Sequence, residues 1–214
     1  MLIAGWQKMT LIDYPDKIAS IIFTQGCNLE CFYCHNAGLI DNYKKNSEVD
    51  ETKIFEYLTA RRKFIDGVVV TGGEPTLQND LKLFFSKIKR MGLLVKLDTN
   101  GTKPNVLSSL IKEELVDYVA MDVKAPIDKY HKICGDKLDY SCIRESISII
   151  RKSGIAHEFR ITLAEMLNVN DMKKIHEMVG KSSNLFAQRC NGNFEQIPIA
   201  EIVQSVPQIK LRGF

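Results

Sequence analysis

The chain has 214 residues, 45% of them apolar and 26% charged, with a net charge of +3. That balance fits a globular protein able to bury a substantial core, and the charge is too small to argue for nucleic acid or an anionic membrane. No apolar run approaches the ~20 residues that span a bilayer, and Met1-Leu2-Ile3-Ala4-Gly5-Trp6-Gln7-Lys8 lacks the basic start and long apolar middle of a signal peptide, so a cytoplasmic location is expected.

Residues 1–17, with Trp6, Leu11, Ile12, Tyr14 and Pro15, read as a packed N-terminal arm with room for a short hairpin. Ile18-Ala19-Ser20-Ile21-Ile22-Phe23-Thr24 is a buried strand, ended by Gln25-Gly26. The next stretch, Cys27-Asn28-Leu29-Glu30-Cys31-Phe32-Tyr33-Cys34-His35-Asn36, places three cysteines in eight residues, spaced C-x3-C-x2-C. Residues 37–49 contain Gly38, Asp41, Asn42, Lys44 and Lys45 with no period and read as a loop. Asp50 can cap a helix carrying Ile54, Leu58 and Ile65.

From Val68 a repeat takes over. Val68-Val69-Val70-Thr71 is a strand, followed by Gly72-Gly73-Glu74-Pro75 and a helix whose Leu77, Leu81, Phe84, Phe85, Ile88 and Met91 line one face. Leu93-Leu94-Val95-Lys96-Leu97 is a strand leading to Asp98-Thr99-Asn100-Gly101, and a helix begins near Pro104. Tyr118-Val119-Ala120-Met121 leads to Asp122-Val123-Lys124 and a long connection over 127–140, then to a helix with Ile143, Ile147 and Ile150. Phe159-Arg160-Ile161-Thr162-Leu163 is a strand, Met172, Ile175 and Val179 mark a helix, and Leu185-Phe186-Ala187 opens a sixth strand. The tail 191–214 reads as irregular.

Alternating helices and nearly continuous apolar strands indicate an α/β fold with parallel strands. Six βα units are too few for a closed barrel and suit a partial, open (βα)6 TIM-like barrel; a doubly wound sheet is the alternative. One domain over 1–214 is expected, with an arm at 1–17, a core at 18–190 and a tail at 191–214.

In a parallel β/α fold the C-terminal strand ends share one face, where sites are built. Cys27, the Gly72-Gly73-Glu74 turn, the Asp98-Thr99-Asn100 turn and Asp122-Val123-Lys124 all follow such ends. Three thiolates on one loop can hold three corners of a metal centre and leave a fourth position open. Structural zinc with His35 is the competing reading, although adjacent Cys34 and His35 strain a shared ion. Gly72-Gly73 admits close backbone approach or is only a tight turn. Glu74 can hold an ammonium group. Asp98 and Asn100 can meet ribose hydroxyls, or Asp98 only stabilises a turn before Gly101. Asp122 and Lys124 share a strand face and can hold a zwitterion or form a surface ion pair. Arg160 either meets a carboxylate or points to solvent from an edge. Cys134, Cys142 and Cys190 have no ligand spacing and read as small buried hydrophobes.

C-x3-C-x2-C after the first core strand, with Gly-Gly-Glu-Pro after the second, resembles the radical S-adenosylmethionine (radical SAM) superfamily over residues 18–190. The resemblance implies a [4Fe–4S] cluster on Cys27, Cys31 and Cys34, with S-adenosylmethionine on the open iron. It places Tyr33 at the adenine with Cys34 and His35 beside it. Gly72, Gly73 and Glu74 fall at the methionine amino group, Asp98 and Asn100 at the ribose, Asp122, Val123 and Lys124 along the cofactor, and Arg160 at the carboxylate. Gln188 and Arg189 match a further nucleoside contact loosely. Gly5-Trp6-Gln7-Lys8-Met9-Thr10-Leu11-Ile12-Asp13-Tyr14-Pro15 and Tyr33-Cys34-His35-Asn36 are similar to activating proteins of anaerobic ribonucleoside-triphosphate reductase. Leu97-Asp98-Thr99-Asn100-Gly101 and Met121-Asp122-Val123-Lys124 recur in pyruvate formate-lyase-type activases, which implies a monovalent cation near Asp98, Thr99 and Asp122.

The implied reaction is reductive cleavage of S-adenosylmethionine to a 5′-deoxyadenosyl radical, which takes a glycine Cα hydrogen from a partner glycyl radical enzyme. The expected partners are that enzyme, most simply anaerobic ribonucleotide reductase, and an electron donor such as flavodoxin or ferredoxin, with no nucleic acid and no membrane. No acid–base catalytic residue is expected. The rivals are a small-molecule radical SAM enzyme resembling 7-carboxy-7-deazaguanine synthase and a non-catalytic zinc module.

Overall fold

A computed structural model describes residues 1–40, 49–135, 139–190 and 197–213. It contains one open eight-stranded sheet whose strand order follows the chain. β1 (Ile3–Thr10) runs antiparallel to β2 (Ala19–Thr24). β2 is parallel to β3 (Gly67–Gly72), and β3 to β4 (Leu94–Thr99). β5 (Tyr118–Asp122) comes next. β6 (Ala156–Leu163) is parallel to β7 (Leu185–Arg189), and β7 to β8 (Lys210–Arg212). The helices are α1 (Glu51–Arg61), α2 (Leu81–Arg90), α3 (Pro104–Lys112), α4 (Tyr130–Cys134), α5 (Ser141–Ser153), α6 (Val169–Val179) and α7 (Ile199–Ser205).

Local chemistry explains most boundaries. Asp50 caps α1 by accepting the Thr52 N–H. α2 buries Leu81, Phe84, Phe85 and Ile88, which fall at helical spacing on one face. α5 buries Ile143, Ile147 and Ile150 and stops at Gly154, whose φ of 74° suits a residue without Cβ. In β3 the unbroken Val68-Val69-Val70 run is buried on both faces, as a covered parallel strand requires.

The chain forms two compact units. The first comprises Met1–Asn28, Asn36–Thr99 and Asn105–Val119. Its core includes Tyr14, Ala19, Ile21 and Val69, with Phe23, Leu94 and Tyr118 packed against them. The second comprises Leu29–His35, Asn100–Pro104 and Ala120–Phe214. Its core includes Phe159, Ile161, Ile143, Met172 and Ile175.

The sheet carries one strand beyond the expected six at each end. The arm contributes β1 as an edge hairpin with β2. The tail, expected to be irregular, contains α7 and β8. Ile202 and Val206 are buried and explain the ordering of α7. β8 is held by Arg212, which forks onto the buried Glu158 carboxylate through two 2.9 Å hydrogen bonds. In the loop expected at 37–49, Ala37–Leu39 is a 3-10 turn, and 41–48 lie outside the described residues. In the connection 127–140, Ile127–Lys129 is a 3-10 turn leading into α4, and 136–138 lie outside the described residues, as do 191–196 of the tail.

Candidate functional site

In the first unit, two loops leave neighbouring strands and share backbone. The Gly73 N–H donates to the Thr24 carbonyl (2.9 Å) and the Glu74 N–H to the Gly26 carbonyl (2.8 Å). A Cβ added to Gly73 would stand 2.0 Å from the Gly26 carbonyl oxygen, so only glycine lets the β3 loop lie on the backbone just before Cys27. The same loop is fixed from its other side, where the Gly26 N–H donates to the Leu39 carbonyl (2.7 Å) and the Cys27 N–H to the Ile40 carbonyl (3.3 Å).

Glu74 is fully buried, and its Oε1 accepts from the Thr76 N–H (3.1 Å), the Thr76 hydroxyl (2.5 Å) and the Thr99 hydroxyl (2.7 Å). The carboxylate therefore caps the 3-10 turn Pro75–Leu77 and ties β4 to the β3 loop. Asp98 ion-pairs with Lys96, two residues earlier on the same strand face. Lys96 is only 2% exposed and its Nζ lies 5.8 Å from the centroid of the Tyr118 ring.

In the second unit the charges are already organised. The Arg160 Nε donates to Asp122 Oδ1 (2.7 Å) and the Lys124 Nζ to Asp122 Oδ2 (2.8 Å). Burial opposes charge on Asp122, but Arg160 and Lys124 hold its carboxyl well below the usual carboxylate range. Burial likewise opposes charge on Lys124, yet Asp122 keeps its ammonium well above the ordinary lysine range. Arg160 thus turns to a carboxylate rather than to solvent, and the Asp122–Lys124 pair is part-buried rather than superficial. The Val123 N–H donates to the Arg160 carbonyl (2.8 Å) while its side chain enters the core. The Lys124 N–H donates to the Tyr130 hydroxyl (3.0 Å).

Tyr33 places its ring 6.0 Å from Lys124 Nζ. Its hydroxyl is buried with no hydrogen-bond partner among the described residues, and burial pushes its pKa well above the tyrosine norm. The Cys34 N–H donates to the Cys31 carbonyl (3.0 Å), which makes a tight turn around Tyr33. His35 is exposed. Asn100 Oδ1 accepts from the Thr102 N–H (3.0 Å) and hydroxyl (2.7 Å) and so stabilises the turn, a role expected of Asp98. Among the described residues no three His, Cys, Asp or Glu side chains are grouped closely enough to hold a metal ion.

Two residues at the site escaped the sequence reading. Lys96 sits within an otherwise apolar strand, and a lysine two residues before an aspartate on a buried strand is itself a signal. Cys134 is expected from sequence to be a small buried hydrophobe. It is buried, and its sulfur lies 3.3 Å from that of Cys31. Hydrogen bonding to Cys134 is the main influence pulling the Cys31 thiol down to about 7, against burial and with help from Lys124.

The signature of the radical SAM superfamily matches residues 21–179, from within β2 to the end of α6. A protein of Methanocaldococcus jannaschii named as a glycyl-radical enzyme activating enzyme is 37% identical over 192 residues, covering 87% of this chain and 78% of that one. A Pyrococcus horikoshii protein named as a GTP 3′,8-cyclase is 32% identical over 154 residues; they cover 71% of this chain, which spans only 47% of that longer relative. Among solved structures, anSMEcpe with bound AdoMet shares the fold with a TM-score of 0.64 at 17% identity, over 88% of this chain and 61% of that one. Signature, relatives and architecture agree: the chain belongs to the radical SAM superfamily, and membership implies a [4Fe–4S] cluster and S-adenosylmethionine as cofactors.

Proposed function

We propose that this protein activates a glycyl radical enzyme, most simply an anaerobic ribonucleoside-triphosphate reductase, and that it works in the cytoplasm with a flavodoxin or ferredoxin as electron donor. The observation that carries the reading is the Methanocaldococcus jannaschii relative, which is matched over most of both chains and is named as an activating enzyme. The cyclase relative is matched over less than half its length and does not set the substrate.

The residues fit the implied cofactors. Cys27, Cys31 and Cys34 supply soft sulfur donors from one loop, as an iron–sulfur cluster takes. The unpartnered, buried Tyr33 hydroxyl is a polar atom that a bound nucleoside can satisfy. When bound, the cluster and S-adenosylmethionine supply hydrogen-atom abstraction driven by one-electron cleavage of the sulfonium.

The chain's own work is holding and orienting. We assign the cluster to Cys27, Cys31 and Cys34, and the cofactor's adenine side to Tyr33, Cys34 and His35. Gly72, Gly73 and Glu74 take the methionine amino group. The Glu74 side chain is committed to Thr76 and Thr99, so it acts by fixing the loop while the backbone presents the contact. Asp98 and Asn100 serve the ribose. Asp122, Lys124 and Arg160 form the charged side, already paired before ligand binds, and Val123 lines the cofactor between them through its backbone. For the monovalent cation considered near Asp98, Thr99 and Asp122, Lys96 already pairs with one Asp98 oxygen, and Lys124 and Arg160 with the two of Asp122. Cofactor cleavage is accordingly expected to proceed equally in tetramethylammonium and potassium buffers; a requirement for potassium would restore the bound cation.

The deciding experiment mixes the reduced, reconstituted protein with S-adenosylmethionine and the reductase. A glycyl radical doublet in electron paramagnetic resonance, with 5′-deoxyadenosine released, is the expected result. Cofactor cleavage without a doublet against any glycyl radical enzyme encoded in the same genome would discard the activase assignment.

A further inference from the structure

Cys134 stands outside the C-x3-C-x2-C set, yet the fold delivers it to the middle cysteine. The delivery is specific. The Glu30 N–H donates to the Cys134 carbonyl (3.2 Å) and the Phe32 N–H to the Ile133 carbonyl (3.3 Å), so the backbone is tied to the end of α4 on either side of Cys31. α4 is itself immobilised, since Tyr130, Ile133 and Cys134 are all buried and the Tyr130 ring stacks 4.8 Å from that of Tyr140. The two sulfurs lie 3.3 Å apart, within hydrogen-bonding reach for thiols.

We propose that Cys134 is a positioning residue for the cluster: its thiol donates a hydrogen bond to the Cys31 sulfur and raises the reduction potential of the iron–sulfur centre. The argument is one of proton placement. A cysteine bound to iron is a thiolate and can only accept, so the shared proton resides on Cys134. Hydrogen bonds to cluster sulfurs stabilise the reduced, more negative state and so raise the potential. The two backbone bonds beside Cys31 keep the thiol in place whether or not the side chain at 134 is altered. The inference rests on Cys31 being a cluster ligand and is independent of which enzyme is activated.

The test uses the full chain, reconstituted anaerobically with iron and sulfide, as wild type, Cys134→Ala and Cys134→Ser. The readout is the midpoint potential of the cluster, followed by electron paramagnetic resonance without S-adenosylmethionine or partner. Cys134→Ala is expected to lower the reduced-to-oxidised ratio at a fixed potential roughly threefold, the worth of one modest hydrogen bond. Cys134→Ser, which keeps an O–H donor, is expected to recover most of that ratio at full iron and sulfide content. Equal potentials in wild type and Cys134→Ala would overturn the proposal. So would a common shift in both variants, or loss of the cluster from both, since either outcome marks packing rather than a donated proton. A doublet assay on the same samples reports separately on the activase assignment.

Discussion

At the scale of single residues, the site is notable for how few of its polar groups wait for a ligand. Asp98, Asp122, Lys124 and Arg160 are ion-paired within the protein, and one oxygen of the Glu74 carboxylate accepts from Thr76 and Thr99. The buried Tyr33 hydroxyl is the contrast, because it lacks a partner among the described residues. A buried hydroxyl without a hydrogen bond destabilises the ligand-free fold. Tyr33→Phe is therefore expected to leave ligand-free stability level or raise it by about 1 kcal/mol, as read by urea unfolding. The same variant is expected to weaken S-adenosylmethionine binding by calorimetry. A ligand-free protein clearly destabilised by this substitution would mean that the hydroxyl is already satisfied inside the fold, and Tyr33 would lose its assignment.

At the scale of elements, the β2 and β3 loops behave as one piece because the Gly73 and Glu74 N–H groups are spent on Thr24 and Gly26. Gly73→Ala would drive a methyl into main chain 2.0 Å away, a clash that no side-chain rotation relieves. It is expected to cost about 2–3 kcal/mol of stability and to reduce cluster loading, by denaturant melts and iron analysis. Gly38→Ala meets nothing within 4 Å and serves as the control, with a change of less than about 0.5 kcal/mol. Indifference to Gly73→Ala would show that the loops are not packed backbone to backbone. The loops themselves were legible because each carries a local pattern: cysteines at short spacing, paired glycines, acids just past an apolar strand. What pairs with what was not. Cys31 and Cys134 are 103 residues apart in sequence, and a lone cysteine carries no periodicity that points to its partner. β8 escaped for another reason. Three residues are too few for an alternating pattern to register, and its anchorage, the fork between Arg212 and Glu158, spans 54 residues.

At the scale of the whole molecule, parallel strands that follow the chain around an open sheet made the architecture readable from strand–helix alternation, whereas its two edge strands had to be seen. The same architecture puts ionised groups inside the protein, and global stability should register them through pH. Asp122 has its folded pKa depressed, so its contribution is present above the unfolded value of about 3.9 and is lost as pH falls through the lower folded value. Lys124 has its folded pKa raised, so its contribution is complete below about 10.4 and is lost only as pH rises through the higher folded value. Between those limits the cluster contributes a flat term. Asp122→Asn leaves Arg160 and Lys124 without their carboxylate, and removing one partner of this part-buried, hydrogen-bonded pair costs about 2 kcal/mol near neutrality. As pH falls below about 4 the wild type loses what the variant never had, and the gap between them should close by about 1.4 kcal/mol per pH unit. Urea unfolding of both proteins at pH 7, 5, 3.5 and 2.5 measures that gap. A gap that stays constant to the lowest pH would mean that Asp122 carries no ionised pair in the fold, and the charged half of the proposed cofactor site would have to be rebuilt around Lys124 and Arg160 alone.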